Sequence, residues 1–242
     1  TGAGKSVLLR AIITSLILDK EEQLELHLVD FMMVELGIFK KSYVVKSFCY
    51  TQNKFGELLR DLKTISELRL KQFDKYNVVN IRQWNNKFEN KKLKYIVVVI
   101  DEFASLAESQ YNDIMKEFKT RIAQDRKCGI HYIVCTQRPS TDIVNGTVKA
   151  NIPVRISLQL PTEQDSRVIL DEKGAEKLCT KGRAIFKGEE KAEMQCMFIS
   201  EDEAQKLIKH TYVKKHENVI ECNDYVVMDN KSIKESGEEK IC

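Results

Sequence analysis

Six residues at the start of the chain have the types and spacing that bind phosphate. The run Thr-Gly-Ala-Gly-Lys-Ser matches the last six positions of the eight-position pattern GxxxxGK[ST], and an apolar segment follows it. Glycines let the backbone N–H groups converge on phosphate oxygens, and the start of a following helix adds a favourable dipole. In this pattern Lys5 contacts the β- and γ-phosphates and the Ser6 hydroxyl ligates Mg²⁺. The predicted nucleotide-binding residues are Thr1, Gly2, Ala3, Gly4, Lys5, Ser6 and Val7.

Two adjacent acids end a strongly hydrophobic run with the sequence VVVIDE. The carboxyl ends of strands in a parallel sheet carry its ligand-binding groups, so this position is suited to chemistry. We expect Asp101 to hold Mg²⁺ through a water and Glu102 to act as the general base that polarises the attacking water. Together with the phosphate loop, the acids predict hydrolysis of a nucleoside triphosphate with ATP and Mg²⁺ bound.

A polar run, Cys-Thr-Gln-Arg-Pro, follows the next strand-like segment. An amide side chain at this place, that of Gln137, would point toward the γ-phosphate and sense its presence. An ordinary turn at a strand end is the alternative interpretation of these residues.

Hydrophobic periodicity predicts helices alternating with strands, the elements that must position these residues. The predicted helices cover residues 6–18, 54–76 and 108–124. The predicted strands cover residues 24–30, 95–100, 130–135 and 154–158. This alternation implies right-handed crossovers and a mostly parallel central sheet. The expected fold class is therefore α/β, with helices on both faces of the sheet.

Two segments do not follow this alternation. Residues 77–92 are polar and hold Trp84, the only tryptophan, and are interpreted as an irregular surface insertion. After about residue 210 the chain becomes rich in charge and loses any sustained apolar period, which indicates an appendage or linker.

Composition excludes several classes of protein. Hydrophobic residues make up 43% and charged residues 31% of the 242 residues, which excludes a collagen-like or wholly disordered chain. The net charge of +3 is nearly balanced, so no partner is predicted to be held by a positive field over the whole surface. No apolar run has the roughly 20 residues of a membrane span. The seven cysteines form no CxxC pair or zinc-like cluster, which favours a reducing, cytosolic compartment.

Two long blocks of sequence closely resemble the FtsK/SpoIIIE family of hexameric RecA-like motor ATPases. These are GIHYIVCTQRPSTDIVNGTVKANIPVRISLQ and DSRVILDEKGAEKL, and the block VDFMMVELGIF is similar to another family segment. The resemblance runs from residue 1 to about residue 208. It implies a RecA-like P-loop ATPase domain over residues 1–210, cut within its phosphate loop, and a polar tail over residues 211–242.

The resemblance also implies roles for single residues. Lys5 and Ser6 would be the phosphate and Mg²⁺ ligands, Asp101 and Glu102 the second acidic motif, and Gln137 the γ-phosphate sensor. The resemblance implies a homo-oligomeric ring, expected to be a hexamer, in which each ATP sits between neighbouring subunits. An arginine from the adjacent subunit should therefore complete each ATP site.

Arg155 and Arg167 are the two candidates for that arginine, and the sequence does not separate them. Both lie in segments that face such a junction in the family, and a surface salt bridge is the alternative for each. The chain departs from the family at Asp30-Phe31-Met32-Met33, where a lysine commonly follows the aspartate. We interpret this apolar stretch as packing at a subunit interface.

The family leaves the cargo open between double-stranded DNA and the proteins of type VII secretion. The TQRPS and KANIP blocks and the single ATPase unit favour DNA, moved in transfer of a mobile or conjugative element or in chromosome partition. A degenerate, non-enzymatic binding platform is disfavoured by the intact Lys5, Asp101 and Glu102. Candidate contacts to DNA phosphates are Lys40, Lys41, Arg121, Arg126 and Lys127.

The chain is expected to be a fragment of a longer protein, since it begins inside a motif. The resemblance implies a cytoplasmic motor domain in a parent protein anchored at the cell membrane through a part outside this chain.

Overall fold

The computed structural model describes residues 2–212. Thr1 and residues 213–242, which include nearly all of the predicted tail, lie outside the described residues. The helices are α1 Lys5–Lys20, α2 Gln52–Lys75, α3 Ile81–Lys87, α4 Asn112–Gln124, α5 Gly146–Asn151, α6 Glu163–Leu170 and α7 Glu201–Ile208. The strands are β1 Leu24–Val29, β2 Val45–Cys49, β3 Tyr95–Ile100, β4 Ile130–Val134, β5 Arg155–Leu158, β6 Arg183–Lys187 and β7 Lys191–Gln195.

The central sheet is parallel throughout and has the strand order β2-β1-β3-β4. β3 lies between β1 and β4, with Val99 paired to Leu28 on one side and to Ile133 on the other. A β-branched run such as YIVVVI is suited to this place because both of its faces must be covered by apolar groups. The predicted α/β fold with a parallel central sheet is confirmed.

Successive residues of β3 pack into two separate cores on opposite faces of the sheet. Val97 and Val99 join the core formed with α1 and α7, whereas Val98 and Ile100 join the core formed with α2 and α4. This is the two-residue alternation of a strand, and each fully buried Val or Ile stabilises the fold by about 1.5–3 kcal/mol. The prediction of helices on both faces is confirmed.

A second, smaller sheet is antiparallel and has the order β5-β6-β7. The strand predicted over residues 154–158 forms, but its assignment to the parallel sheet was wrong, because β5 pairs with β6 in an antiparallel register. Neither β6 nor β7 was predicted, and β2 was also missed. These strands are short and mostly half-buried or exposed, so they lack the continuous apolar run of a central strand.

The interpretation of residues 77–92 as irregular was wrong, whereas most of the segment does lie at the surface. The segment contains α3, which begins after Asn80, whose side chain accepts a hydrogen bond from the Gln83 backbone N–H at 3.0 Å. The Trp84 side chain is only 6% exposed and its indole N–H donates to the Lys91 carbonyl at 2.9 Å. We call the surrounding group the Trp84 cluster; its members are Phe73, Tyr76, Val78, Ile81, Trp84, Phe88, Leu93 and Tyr95.

None of the helices among residues 2–212 is both long enough and apolar enough to cross a membrane. No disulfide joins the cysteines among residues 2–212, which are Cys49, Cys128, Cys135, Cys179 and Cys196.

Burial of a histidine in β1 makes the stability of the fold depend on pH. His27 is fully buried, its Nδ1 lies 2.7 Å from the Ser47 hydroxyl, and burial, followed by the charge of Lys46, lowers the pKa of His27 from 6.5 to about 4. Between these two values the unfolded chain binds this proton and the folded protein does not. The contribution is therefore complete above pH 6.5 and is lost as the pH falls toward 4.

We expect the free energy of unfolding to fall by roughly 2–3 kcal/mol from pH 7 to pH 4.5 because of this one group. Urea titrations at both pH values measure the fall, and His27→Gln, which cannot take up the proton, is the comparison. An equal fall in the variant and in the unaltered protein would assign the effect to other groups.

Candidate active site

The phosphate loop takes the backbone conformation that its glycines permit. Gly2 and Gly4 have φ of +100° and +111°, in the region that side chains disfavour. Gly4 caps α1, and the first helical hydrogen bond runs from the Leu8 N–H to the Gly4 carbonyl at 2.9 Å. The free N–H groups of the first helical turn, with the side chains of Lys5 and Ser6, form the donor set that anionic phosphates require.

Lys5 joins the phosphate loop to the end of the central strand. Its ammonium donates to the Asp101 carbonyl at 3.0 Å and forms an ion pair with the Asp101 carboxylate. Asp101 is buried, and burial raises the pKa of its carboxyl, while the Lys5 ammonium opposes that rise. The structure therefore brings together the phosphate-binding lysine and one of the two predicted metal residues.

Few side chains of the described residues are placed to bind a metal ion. Within residues 2–212 no group of three or more His, Cys, Asp or Glu side chains could hold a metal ion. Mg²⁺ in nucleotide sites commonly keeps its waters and is held by one or two side chains together with the phosphates. Ser6, in the first turn of α1, and Asp101, at the end of β3, fit that donor set.

Glu102 is held by a set of donors distinct from those of Asp101. The Thr136 hydroxyl donates to Glu102 Oε1 at 2.7 Å, and the Gln137 backbone N–H donates to Oε2 at 3.0 Å. The Ala104 N–H adds a third contact at 3.2 Å, across the start of the short turn that follows β3. The carboxylate of the predicted general base thus has one fixed orientation at the carboxyl end of the sheet.

Thr136 is a functional candidate that sequence reasoning missed. It lies between the end of β4 and Gln137, and its hydroxyl also accepts a hydrogen bond from the Arg138 N–H at 3.1 Å. A polar residue directly before the predicted sensor, at the end of a neighbouring strand, was the available signal. The Gln137 residue is exposed, and its backbone rather than its side chain contacts Glu102.

Cys135 precedes these residues and is packed against the site without taking part in its charge network. Burial raises the pKa of its thiol to about 12, although the Lys5 ammonium lowers it. Its backbone joins two strand ends, since its N–H donates to the Ile100 carbonyl and its carbonyl accepts from the Phe103 N–H, both at 2.8 Å. Cys135 therefore acts here through its backbone.

The second sheet contacts the phosphate loop directly. The Gly182 N–H donates to the Ala3 carbonyl at 3.2 Å, and the Gly182 carbonyl accepts from the Cys196 N–H at 2.8 Å. Gly182 has φ of +77°, and a Cβ placed on Gly4 would lie 3.6 Å from its Cα. The residues after α6 thus form one wall of the loop, which no sequence motif indicated.

The structure does not bring the two candidate arginines to this cluster; it pairs each with an acid of its own chain. Arg155 Nη2 lies 2.9 Å from Asp171 Oδ2, and its side chain is 15% exposed. Arg167 contacts Glu163, one helical turn earlier, at 2.6 Å and is 56% exposed. The role of either in a neighbouring site stays a prediction.

One predicted DNA contact was wrong. Arg121 is only 4% exposed, because it is enclosed in α4 with carboxylates of Glu117 at 3.0 Å and Asp125 at 3.3 Å. A buried, paired arginine cannot reach a phosphate. The remaining candidates Lys40, Lys41, Arg126 and Lys127 are exposed, and their role stays a prediction.

The apolar segment after β1 is organised by Asp30. This buried carboxylate accepts hydrogen bonds from the backbone N–H groups of Glu35 and Leu36 at 3.0 Å and of Met32 at 3.2 Å. The loop consequently presents Met32, Met33 and Val34 outward, each about two-thirds exposed. The predicted packing of these side chains at a subunit interface stays a prediction.

Comparison with known proteins identifies this arrangement. A profile of the FtsK/SpoIIIE family matches residues 1–141. The chain belongs to the FtsK/SpoIIIE family. The DNA translocase SpoIIIE of Bacillus subtilis (strain 168) is 35% identical over 225 residues, covering 87% of this chain and 28% of that protein. The DNA translocase FtsK of Clostridium tetani is 37% identical over 253 residues, covering 99% of this chain and 34% of that protein.

Solved structures of similar fold agree with this architecture. The pCW3 conjugation coupling protein TcpA, in a monomer form with ATPγS, has a TM-score of 0.77 and 30% identity, covering 87% of this chain and 62% of that one. The EssC ATPases 2 and 3 of Geobacillus thermodenitrificans have a TM-score of 0.75 at 17% identity, covering 87% of this chain and 42% of that one, which shows the fold alone. The family resemblance and the P-loop ATPase fold are thus confirmed, for a chain that spans about a third of its curated FtsK and SpoIIIE relatives.

We predict that Thr136 orients the Glu102 carboxylate for catalysis. Thr136→Val keeps the shape of the side chain and removes the hydroxyl, so kcat for ATP should fall roughly tenfold or more, as expected for a lost hydrogen bond to a charged group. Because Thr136 does not contact Lys5, the KM for ATP should change little. Steady-state ATP turnover measures both constants, and Thr136→Ser, which restores the hydroxyl, should recover most of kcat; a Val variant with unaltered kcat contradicts the assignment.

Proposed function

We propose that this chain is the ATP-hydrolysing unit of a ring motor that moves double-stranded DNA. One observation carries the proposal. A carboxylate with fixed orientation, Glu102, lies directly beside the residue that Lys5 joins to the phosphate loop. A general base, a phosphate-binding lysine and a helix N-terminus at the carboxyl end of a parallel sheet together suit phosphoryl transfer to water.

Each residue has one role in this proposal. The phosphate loop from Thr1 to Val7 binds the triphosphate, with the Lys5 ammonium on its β- and γ-phosphates. Glu102 polarises the attacking water, and Gln137 senses the γ-phosphate from the end of β4. Ser6 and Asp101 would hold Mg²⁺, which supplies charge neutralisation on the phosphates when bound.

For Lys5 to contact the phosphates, its ammonium must release the Asp101 carboxylate at least in part. This exchange leaves Asp101, a buried acid, free to face a cation. The ion pair thus keeps both groups in place and charged at the strand end before the substrate arrives.

Double-stranded DNA is the cargo that the relatives favour. Proteins named DNA translocases are 31–37% identical to this chain, and TcpA, named a conjugation coupling protein, is 30% identical. Two structures of EccC from Thermomonospora curvata, one of them titled a type VII secretion ATPase, are 20% and 16% identical to this chain and share its fold. A protein-export motor is therefore the second candidate, and it rests on that likeness of fold alone.

The assembled state is also part of the proposal. We infer a homo-oligomeric ring, a hexamer as the family resemblance implies, in which an arginine of each subunit completes the ATP site of its neighbour. The ring would act as the cytoplasmic domain of a membrane-anchored parent protein, in DNA transfer of a mobile or conjugative element or in chromosome partition.

ATP turnover with and without duplex DNA tests the proposal. We expect phosphate release by the purified protein to rise on addition of duplex DNA. Lys5→Ala should abolish turnover and weaken ATP binding, whereas Glu102→Gln should lose at least about 10²-fold in kcat and still bind ATP, since the base acts on water. A labelled ATP analogue measures the binding. Normal turnover by Glu102→Gln would refute the base assignment, and stimulation by an exported peptide but not by DNA would favour the export motor.

Mixing of inactive subunits tests the arginine in trans. If Arg167 serves the neighbouring site, Arg167→Ala and Lys5→Ala should each lack ATP turnover when assayed alone. For Arg167→Ala the expected loss of turnover is about 10³-fold. An equal mixture should regain about a quarter of the activity, because random pairing leaves that share of interfaces with both residues intact. The same mixture made with Arg155→Ala is the matched comparison; recovery with Arg155 alone assigns the role to that residue, and recovery with neither excludes both.

A further inference from the structure

Positive charge is concentrated in one short segment of this nearly neutral chain. Residues 71–94 contain seven lysines and arginines and two acids, a net charge of +5, which exceeds the +3 of the whole chain. We call this segment the basic unit. Its cations are Lys71, Lys75, Arg82, Lys87, Lys91, Lys92 and Lys94.

The basic unit is a rigid support for these charges. Its aromatic side chains point inward and pack on one another, with ring centroids 4.5 Å apart for Trp84 and Phe88 and 5.2 Å apart for Tyr76 and Phe88. The Asn85 side chain exchanges two hydrogen bonds with the Leu93 backbone, at 2.7 and 2.9 Å. Because the backbone of the basic unit is already ordered, ligand binding at this surface does not carry the entropic cost of ordering it.

The unit is also attached firmly to the central sheet. The guanidinium of Arg69, a buried residue of α2, donates to the Lys94 carbonyl at 3.0 Å and to the Cys128 carbonyl at 2.6 Å. The Tyr95 ring stacks on His131 of β4, with their centroids 6.0 Å apart. These contacts connect the basic unit to α2, β3 and β4.

Most of the cationic side chains of the basic unit are exposed to solvent. Lys71, Lys75, Arg82 and Lys92 are exposed, and none of them lies within ion-pair distance of a carboxylate in residues 2–212. Lys87 donates to the Tyr76 carbonyl at 2.9 Å and likewise has no acid partner in that range. Exposed positive charges that have no ion-pair partner in residues 2–212, carried on one well-packed segment, are suited to a polyanion.

This surface is separate from the candidate active site. Lys94 directly precedes β3, and Asp101 directly follows it, so the two sites lie at opposite ends of one strand. Six residues of a strand span about 20 Å. The basic unit therefore cannot contact a nucleotide held by Lys5, and needs a different ligand.

We propose that the basic unit is a second binding surface for duplex DNA, which it holds through the phosphate backbone without reading sequence. The inference takes the identity of the polyanion from the proposed function, because the relatives are named DNA translocases. An anionic membrane fits less well. Binding at a membrane surface needs apolar side chains that insert into the lipid. Within residues 71–94, Val79 is the only large apolar side chain that is strongly exposed.

A charge-removal variant of the complete chain tests this surface. The patch variant carries Lys71→Gln, Lys75→Gln, Arg82→Gln and Lys92→Gln. The control variant removes four exposed lysines elsewhere and has the same net charge; it carries Lys63→Gln, Lys116→Gln, Lys206→Gln and Lys209→Gln. Fluorescence anisotropy of a short labelled duplex measures the Kd between about 50 and 200 mM salt. Circular dichroism checks that both variants fold.

We expect the patch variant to bind duplex at least about tenfold more weakly at low salt, with the slope of log K against log salt reduced by about three. The control variant should change Kd less than about twofold. The patch variant should keep the ATP turnover that the unaltered protein shows without DNA, so that a failure of ATP hydrolysis can be distinguished from a failure of this surface. Equal Kd and slope in the two charge variants would overturn the proposal. The proposal would also be overturned if the unaltered protein bound vesicles of anionic lipid and did not bind duplex DNA.

Discussion

The two-sided burial of β3 is the constraint on which the rest of the structure depends. Every residue of β3 from Ile96 to Ile100 is apolar and buried, so the polar residues of this segment follow the end of the strand. The first two residues after it are Asp101 and Glu102. The backbone fixes that end from both sides, because the Asp101 N–H donates to Val29 at 3.0 Å and the Ile100 carbonyl accepts from Cys135 at 2.8 Å. The packing of the sheet therefore fixes the position of the two acids.

The two neighbouring acids, Asp101 and Glu102, have different surroundings, which suit them to different roles. Asp101 is buried against an ammonium, an environment suited to holding a cation. Glu102 accepts from a hydroxyl and two backbone N–H groups, which orient its carboxylate and leave it an acceptor. Adjacent residues of a chain leaving a strand point in different directions. A pair of acids in sequence therefore supplies two sites with separate partners.

Local patterns predicted the parts of the fold and site that depend on few residues. The helix after Lys5 and the strand before Asp101 follow from periodicity, and the motif spacing indicated both site residues. Features set by distant contacts were missed. Trp84 is buried by α2 and β3, which its polar neighbours do not reveal, and Arg121 is buried because Asp125 neutralises it. Gly182 and Thr136 acquire their places only once separate strands meet the phosphate loop and Glu102.

The bond between Gly182 and Ala3 makes the conformation of the phosphate loop and that of the β5-β6-β7 sheet parts of one equilibrium. A ligand that favours one conformation of the loop must, by thermodynamic linkage, favour the arrangement of the second sheet that goes with it, and the effect is reciprocal. Gly182 lies one residue before β6, the middle strand of that sheet. In the proposed motor, this single peptide N–H would connect the phosphate loop to the second sheet without any side chain in between.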